Sequence, residues 1–280
     1  MITYKPLPIE DPEVKINLEW KKHNVKQFAD KYKKWIQSSK NAVVYGLENY
    51  NYYLTDGVTG AFSDFEKTYP HLQSVAFRGE YPYHRDTGAK RIEHIMDLQK
   101  GQKLYISYPF AAHGMVHYQF DLIMDSCKKQ NIPVFLDCAY FGACAFPDLY
   151  LDNDCIKFVG FSMSKAFATG RCKIGICFTK EKNTFMSLLN EYSYVNHISI
   201  GIHDYILDNF TPDYMFDKYR LKQLEICKKY NLDVSNTVFL AYSYKPKTKG
   251  FDRDGTVSRY GIADLLVNGY DREIEWISKK

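Results

Sequence analysis

The sequence predicts an α/β protein, a mostly parallel sheet flanked by helices in an α/β/α sandwich, followed by a reduced C-terminal α+β subdomain. Three observations carry this. Short, nearly apolar runs (VFL before Asp137, IKFVGF, KIGICF) suit strands buried on both faces. Segments of helical period separate them, the alternation that a helix-covered parallel sheet requires. After Lys180 the pattern changes to long helical stretches, one strand-like run, TVFLAYSY, and a mixed tail.

Taken in order, the first fifteen residues, with Pro6, Pro8 and Pro12, read as an extended arm. Val25, Phe28, Tyr32 and Ile36 then recur at helical spacing among lysines, predicting an amphipathic helix. NYYLT reads as a strand, 60–69 as a helix, and SVAF and KLYISY as strands. Residues 118–130 read as a helix with Phe120, Ile123, Met124 and Cys127 on one face. VFLD, IKFVGF and KIGICF continue the strands, and helices are expected over roughly 182–209 and 213–231. The organisation expected is an arm and helix over 1–40, a large domain over 41–210 and a small C-terminal subdomain over 211–280.

The chain of 280 residues is long enough to bury a sizeable core without staples. Its 24 Tyr and 18 Phe are many, and most must be packing. A formal charge of +4, spread rather than clustered, argues against a nucleic-acid groove. Seven cysteines without a C-x-x-C, several inside apolar runs, point to a reduced, cytoplasmic chain with no metal site. The N-terminal stretch lacks a basic segment followed by an apolar one, and no run of eighteen apolar residues occurs, so neither secretion nor membrane spanning is expected.

In open parallel sheets, chemistry gathers at the carboxyl ends of strands. Four such ends stand out. TDGVTGAF offers Gly57, Val58 and Thr59 at a strand-to-helix turn, where backbone N–H groups can hold a phosphate, although the same residues also make an ordinary turn and cap. RGEYPYH places Tyr81 and Tyr83 after a strand, as stacking or packing residues. DCAY delivers Asp137 from an apolar run, with Tyr140 three residues on. SMSKAF puts Lys165 among small and apolar neighbours, with the hydroxyls of Ser162 and Ser164 beside it and Arg171 and Lys173 soon after. An amine, a carboxylate and a phenol at successive strand ends meet three demands of pyridoxal 5'-phosphate (PLP): a Schiff base, a protonated ring nitrogen and a donor to the phenolate oxygen.

This order of motifs resembles the class I/II aminotransferases, the aspartate aminotransferase-like enzymes of PLP-dependent fold type I, over roughly residues 50–180. The D-x-A-Y motif matches Asp137 and Tyr140, S-x-S-K matches Ser162 and Lys165, and T-x-G-x-T-x-A matches the turn from Thr55 to Ala61. The resemblance implies Lys165, Asp137 and Tyr140 as catalytic residues. It implies Gly57, Val58, Thr59, Ser162 and either Arg171 or Lys173 around the phosphate, with Tyr81 stacked on the ring. The N-P-x-N-P-T-G stretch falls on Tyr108 to Gly114, so the asparagine that bonds the phenolate oxygen is missing, leaving Tyr140 and His113 near it. The substrate-carboxylate arginine matches Arg259 by position, where a surface arginine also fits. The implied function is amino transfer between a small amino acid and a 2-oxo acid in a homodimer. The alternatives are another PLP-dependent reaction (lyase, decarboxylase or racemase) or a non-catalytic binding protein that retains the fold.

Overall fold

The computed structural model describes residues 23–244, 252–253 and 255–269. The expected arm over the first fifteen residues, and residues 270–280 of the expected subdomain, lie outside the described residues.

Seven strands form the central sheet: β1 (Asn51–Thr55), β2 (Gln73–Phe77), β3 (Lys90–Ile92), β4 (Gln102–Ser107), β5 (Val134–Cys138), β6 (Ile156–Ser162) and β7 (Gly175–Thr179). Their order across the sheet is β1-β7-β6-β5-β4-β2-β3. β7 runs antiparallel to both of its neighbours, and the remaining pairs are parallel. Every residue of β4, β5 and β7 is buried, as strands covered on both faces must be.

Alternate side chains divide between two cores. On one face, Phe62 and Phe65 of α2 (Gly57–Thr68) pack edge-on against Tyr105, Phe135 and Phe158. On the other, Leu104, Leu136, Val159 and Phe161 meet the buried stripes of α1 (Val25–Gln37) and α4 (Phe120–Gln130) in one continuous cluster. The carboxyl ends of β1, β2, β4, β5 and β6 consequently open on one rim, which carries Gly57, Tyr81, Ser107, Asp137 and Ser162.

After α3 (Pro82–Asp86) and the sheet, the single helix expected over 182–209 is two, α5 (Phe185–Glu191) and α6 (His197–Asn209). The break has a local cause. Ser193 takes φ +58°, which no helix accommodates, and the Asn196 side chain accepts the Ser199 N–H at 3.0 Å to start α6 afresh. The strand expected over TVFLAYSY is confined to Leu240–Ser243, because Thr237 and Val238 spend their N–H groups on the Ser235 hydroxyl and the Ala143 carbonyl.

Four antiparallel strands, in the order Asp233–Val234, Leu240–Ser243, Val257–Gly261 and Asp252–Arg253, form a second sheet between α7 (Tyr214–Tyr230) and α8 (Ala263–Asn268). Buried Gln223 on α7 donates to the carbonyls of Ser235, Thr237 and Leu240, at 3.1, 3.1 and 2.8 Å, and ties this sheet to its helix. Backbone bonds from Val238 to Ala143 and from Ala145 to Asn236 join it to the loop after β5. Among the described residues no helix is long and apolar enough to cross a membrane, and no cluster of potential metal ligands occurs.

Candidate active site

Asp137 is the fourth residue of β5, buried to 5% exposure, with its carboxylate accepting the Ala139 N–H at 2.8 Å. Burial pushes its pKa up, while the nearby Lys165 amine and the Ala139 N–H pull it back. Tyr140 lies in the turn that follows. Lys165 comes from the loop after β6, the strand beside β5, and is partly buried. Its Nζ stands 4.2 Å from the centroid of the Tyr140 ring and 5.4 Å from that of Tyr81, held between two aromatic faces. Three residues far apart in sequence thus meet at one amine.

Tyr81 is 39% exposed and precedes Pro82, which opens α3. Its ring lies nearly parallel to that of Tyr83, 6.0 Å away. Beneath it, His84 is buried and stacked on Tyr105 at 4.3 Å; burial, with Arg91 and Lys165 close by, lowers its pKa to about 3, so it is neutral under ordinary conditions.

Gly57 takes φ +62° at the first position of α2, a conformation free of strain only for glycine. The expected loop of Gly57, Val58 and Thr59 is therefore the first helical turn itself. The Asp56 side chain makes no capping bond, and the first bond of the helix is from Gly60 N–H to Asp56 O. The three N–H groups ahead of it point out of the helix end with its positive dipole. Ser162 pairs in register with Gly175, whose backbone packs against Gly57, so the Ser162 end of β6 lies next to this turn. The Lys173 stem lies over Gly57, its Cδ within 3.6 Å of where a glycine β-carbon would stand. Arg171 is exposed in the turn before β7, and no hydrogen bond or ion pair holds it among the described residues. Of the two cations the sequence left open, Lys173 is the one beside the cradle.

Arg259 lies in the strand Val257–Gly261 of the second sheet and reaches across to the first. Its Nη1 donates to the Ala111 carbonyl at 2.6 Å and to the Tyr140 hydroxyl at 2.9 Å. It is thus no surface arginine, and Ala111, which stands where the expected asparagine is missing, contributes a carbonyl that anchors it. His113 accepts the Met115 N–H at 3.0 Å and packs against Phe110 and Tyr242; burial lowers its pKa to about 4.

Sequence reasoning missed Glu80. It is buried to 1% exposure and accepts the Ser107 N–H at 2.7 Å, the Ser107 hydroxyl at 2.6 Å and the Tyr81 N–H at 3.0 Å. Burial, with the Asp137 charge adding to it, pushes its pKa up to about 7. The signal available was a carboxylate directly before Tyr81. What makes it matter is Ser107, which only the register of the sheet brings to it.

No protein-family model matches the chain, and no curated protein sequence does. Solved structures match by shape. A PLP-bound C-S lyase from Staphylococcus hominis aligns with a TM-score of 0.57 at 11% identity, over 80% of this chain and 67% of that one. An L-threonine-O-3-phosphate decarboxylase from Porphyromonas gingivalis gives 0.61 at 14% identity, over 91% and 87%. An aminotransferase from Staphylococcus aureus gives 0.63 at 11% identity, over 90% and 82%. The chain has the fold of these proteins, fold type I of the PLP-dependent transferases.

Proposed function

We propose that this chain is a PLP-dependent enzyme of amino acid metabolism, and that it transfers an amino group between a small amino acid and a 2-oxo acid. The observation that carries the reading is the Lys165 amine between the Tyr81 and Tyr140 rings, with buried Asp137 on the neighbouring strand. The residues present fit the cofactor. The helix end at Gly57, Val58 and Thr59, with Ser162 and Lys173 beside it, suits a phosphate dianion. Among the described residues Asp137 is a carboxylate with one backbone donor and no lysine or arginine bonded to it, suited to a cationic ring nitrogen.

When bound, pyridoxal phosphate supplies an electron sink for the bonds at an amino acid's Cα. The chain's own groups do the rest. Lys165 would hold the aldehyde through Nζ, and its free amine is the base that would move a proton at Cα. Asp137 is the carboxylate that would face the ring nitrogen; burial raises its pKa, and Lys165 and the Ala139 N–H work against that rise. Tyr140 accepts from Arg259, so its own hydroxyl proton would be free for the phenolate oxygen. Arg259 is the candidate for the substrate carboxylate. A homodimer and a cytoplasmic location belong to the same proposal.

The test is spectroscopic. Purified protein incubated with PLP is expected to absorb in the visible and to fix the cofactor on borohydride treatment, while Lys165→Ala does neither. Adding an amino donor and then a 2-oxo acid should cycle the spectrum between two forms. A cofactor that binds and reacts with amino acids but never cycles would replace amino transfer with a lyase, decarboxylase or racemase reaction. Colourless protein that takes up no PLP would leave the fold as a binding module.

A further inference from the structure

Ser107 stands between two buried carboxyl groups. The ladder between β2 and β4 ends at the pair Ala76 and Tyr105, and beyond it the Glu80 carboxylate takes the place of the next β2 carbonyl, accepting the Ser107 N–H as well as its hydroxyl. On its other edge Ser107 pairs in register with Asp137. Ser107 and Asp137 lie two residues beyond Tyr105 and Phe135, so by strand alternation they face the same side of the sheet. Adjacent strands are about 4.8 Å apart, which puts the two acids within mutual Coulomb range in a region from which water is excluded.

The donors to Glu80 are all neutral. The other groups around it are Arg91 on β3, which donates to the backbone carbonyls of Glu80 and Tyr81, His84 on α3, which is neutral, and Lys165, whose charge acts on Asp137. Two anions side by side in this setting repel, and such sites lose their protons in coupled steps.

We propose that Glu80 and Asp137 hold one proton between them up to the neutral range, with Glu80 carrying the proton while Asp137 carries the charge. Glu80 is then a positioning residue. It ties the Tyr81 loop to β4 and sets how readily Asp137 stays ionised. Resting on the PLP reading, a further consequence follows: a cationic ring nitrogen against Asp137 relieves the repulsion, so Glu80 releases its proton as the ligand binds.

The test begins with ligand-free full-length protein, by infrared titration of the protonated-carboxyl band. In the wild type, a band is expected to disappear with an apparent midpoint near neutrality. Glu80→Gln should remove that step, and Asp137→Asn should move it to lower pH by removing the like charge. Ser107→Ala, which keeps both acids and costs Glu80 one donor, should move it to higher pH. No near-neutral step, or one that Asp137→Asn leaves in place, overturns the coupling whatever the cofactor. Pyridoxine 5'-phosphate, which has no aldehyde, then probes the second part by calorimetry in buffers of different ionisation enthalpy. The wild type should release up to about one proton more than Glu80→Gln near neutral pH. Equal release from both overturns the linkage, whereas failure of the wild type to bind the probe at all counts against the PLP reading and leaves the infrared result standing.

Discussion

Arg259 shows how one side chain can serve two sheets. Its Nη1 bonds the Ala111 carbonyl and the Tyr140 hydroxyl at once, which leaves the other guanidinium nitrogens for a substrate carboxylate. A lysine that spent its single ammonium on those two oxygens would have no second nitrogen to offer a carboxylate. Arg259→Lys is therefore expected to lower kcat/KM for the amino donor by roughly 10- to 100-fold, or about 1.4 to 2.7 kcal/mol at 25 °C. Cofactor affinity should change less than activity, because the bonds Arg259 makes go to Ala111 and Tyr140 and none goes to Lys173 or the α2 helix end. Steady-state kinetics together with a cofactor titration separate the two effects. Cofactor loss in parallel with activity would place Arg259 in the architecture of the ring pocket instead.

At the scale of elements, the cradle depends on a close approach of β7 to the start of α2. A β-carbon on Gly175 would stand 2.8 Å from both the Gly57 carbonyl carbon and the Phe161 oxygen, and neither backbone atom has a flexible route away. Gly175→Ala is expected to push β7 from β6 and α2, costing about 1–3 kcal/mol of stability and weakening phosphate binding. Gly261→Ala, where a β-carbon meets open space, is the matched control and should leave both unchanged. Thermal melts with and without PLP measure the difference, and equal behaviour of the two variants would mean that the α2 end takes no part in binding. Helix spacing foretold α1, whose buried residues include all four anticipated ones, Val25, Phe28, Tyr32 and Ile36. It did not foretell the break between α5 and α6, because Ser193 and Asn196 interrupt the helix through backbone angle and capping, which leave the hydrophobic period nearly intact.

For the whole molecule, buried histidines and the buried glutamate oppose one another as pH changes. Burial lowers the pKa values of His113, His117 and His203 to about 4 and that of His84 to about 3. An unfolded chain protonates them near 6.5, so stability is lost as pH falls from about 6.5 toward 4. Glu80 is shifted the other way, from 4.5 up to about 7, so its folded form binds the proton more tightly and stability is lost as pH rises through that window. Four groups outweigh one below pH 6.5. Tm is expected to climb from pH 4 to about 6.5, with protons taken up on unfolding, and then to level off or dip toward pH 8. In Glu80→Gln the rise should remain and the dip should vanish. Calorimetric scans across that range measure both, and a flat Tm between pH 5 and 6.5 would mean that these histidines are solvated.

The sequence by itself determined the α/β class, six of the seven strands of the central sheet (all but the short edge strand Lys90–Ile92) and the positions of Lys165, Asp137 and Tyr140, because burial on both faces demands apolar runs and reactive groups then stand out where those runs end. It left open which of Arg171 and Lys173 lies beside the start of α2 and whether Arg259 belongs to the surface, and it was silent on Glu80. Those were decided by tertiary structure. Lys173 rather than Arg171 lies over Gly57 because of how β7 enters the sheet, Arg259 reaches Tyr140 because a second sheet packs across the first, and Glu80 meets Ser107 because β2 stops short of β4. Each is a meeting of residues between 27 and 119 positions apart, fixed by strand register and backbone approach, which local pattern does not encode.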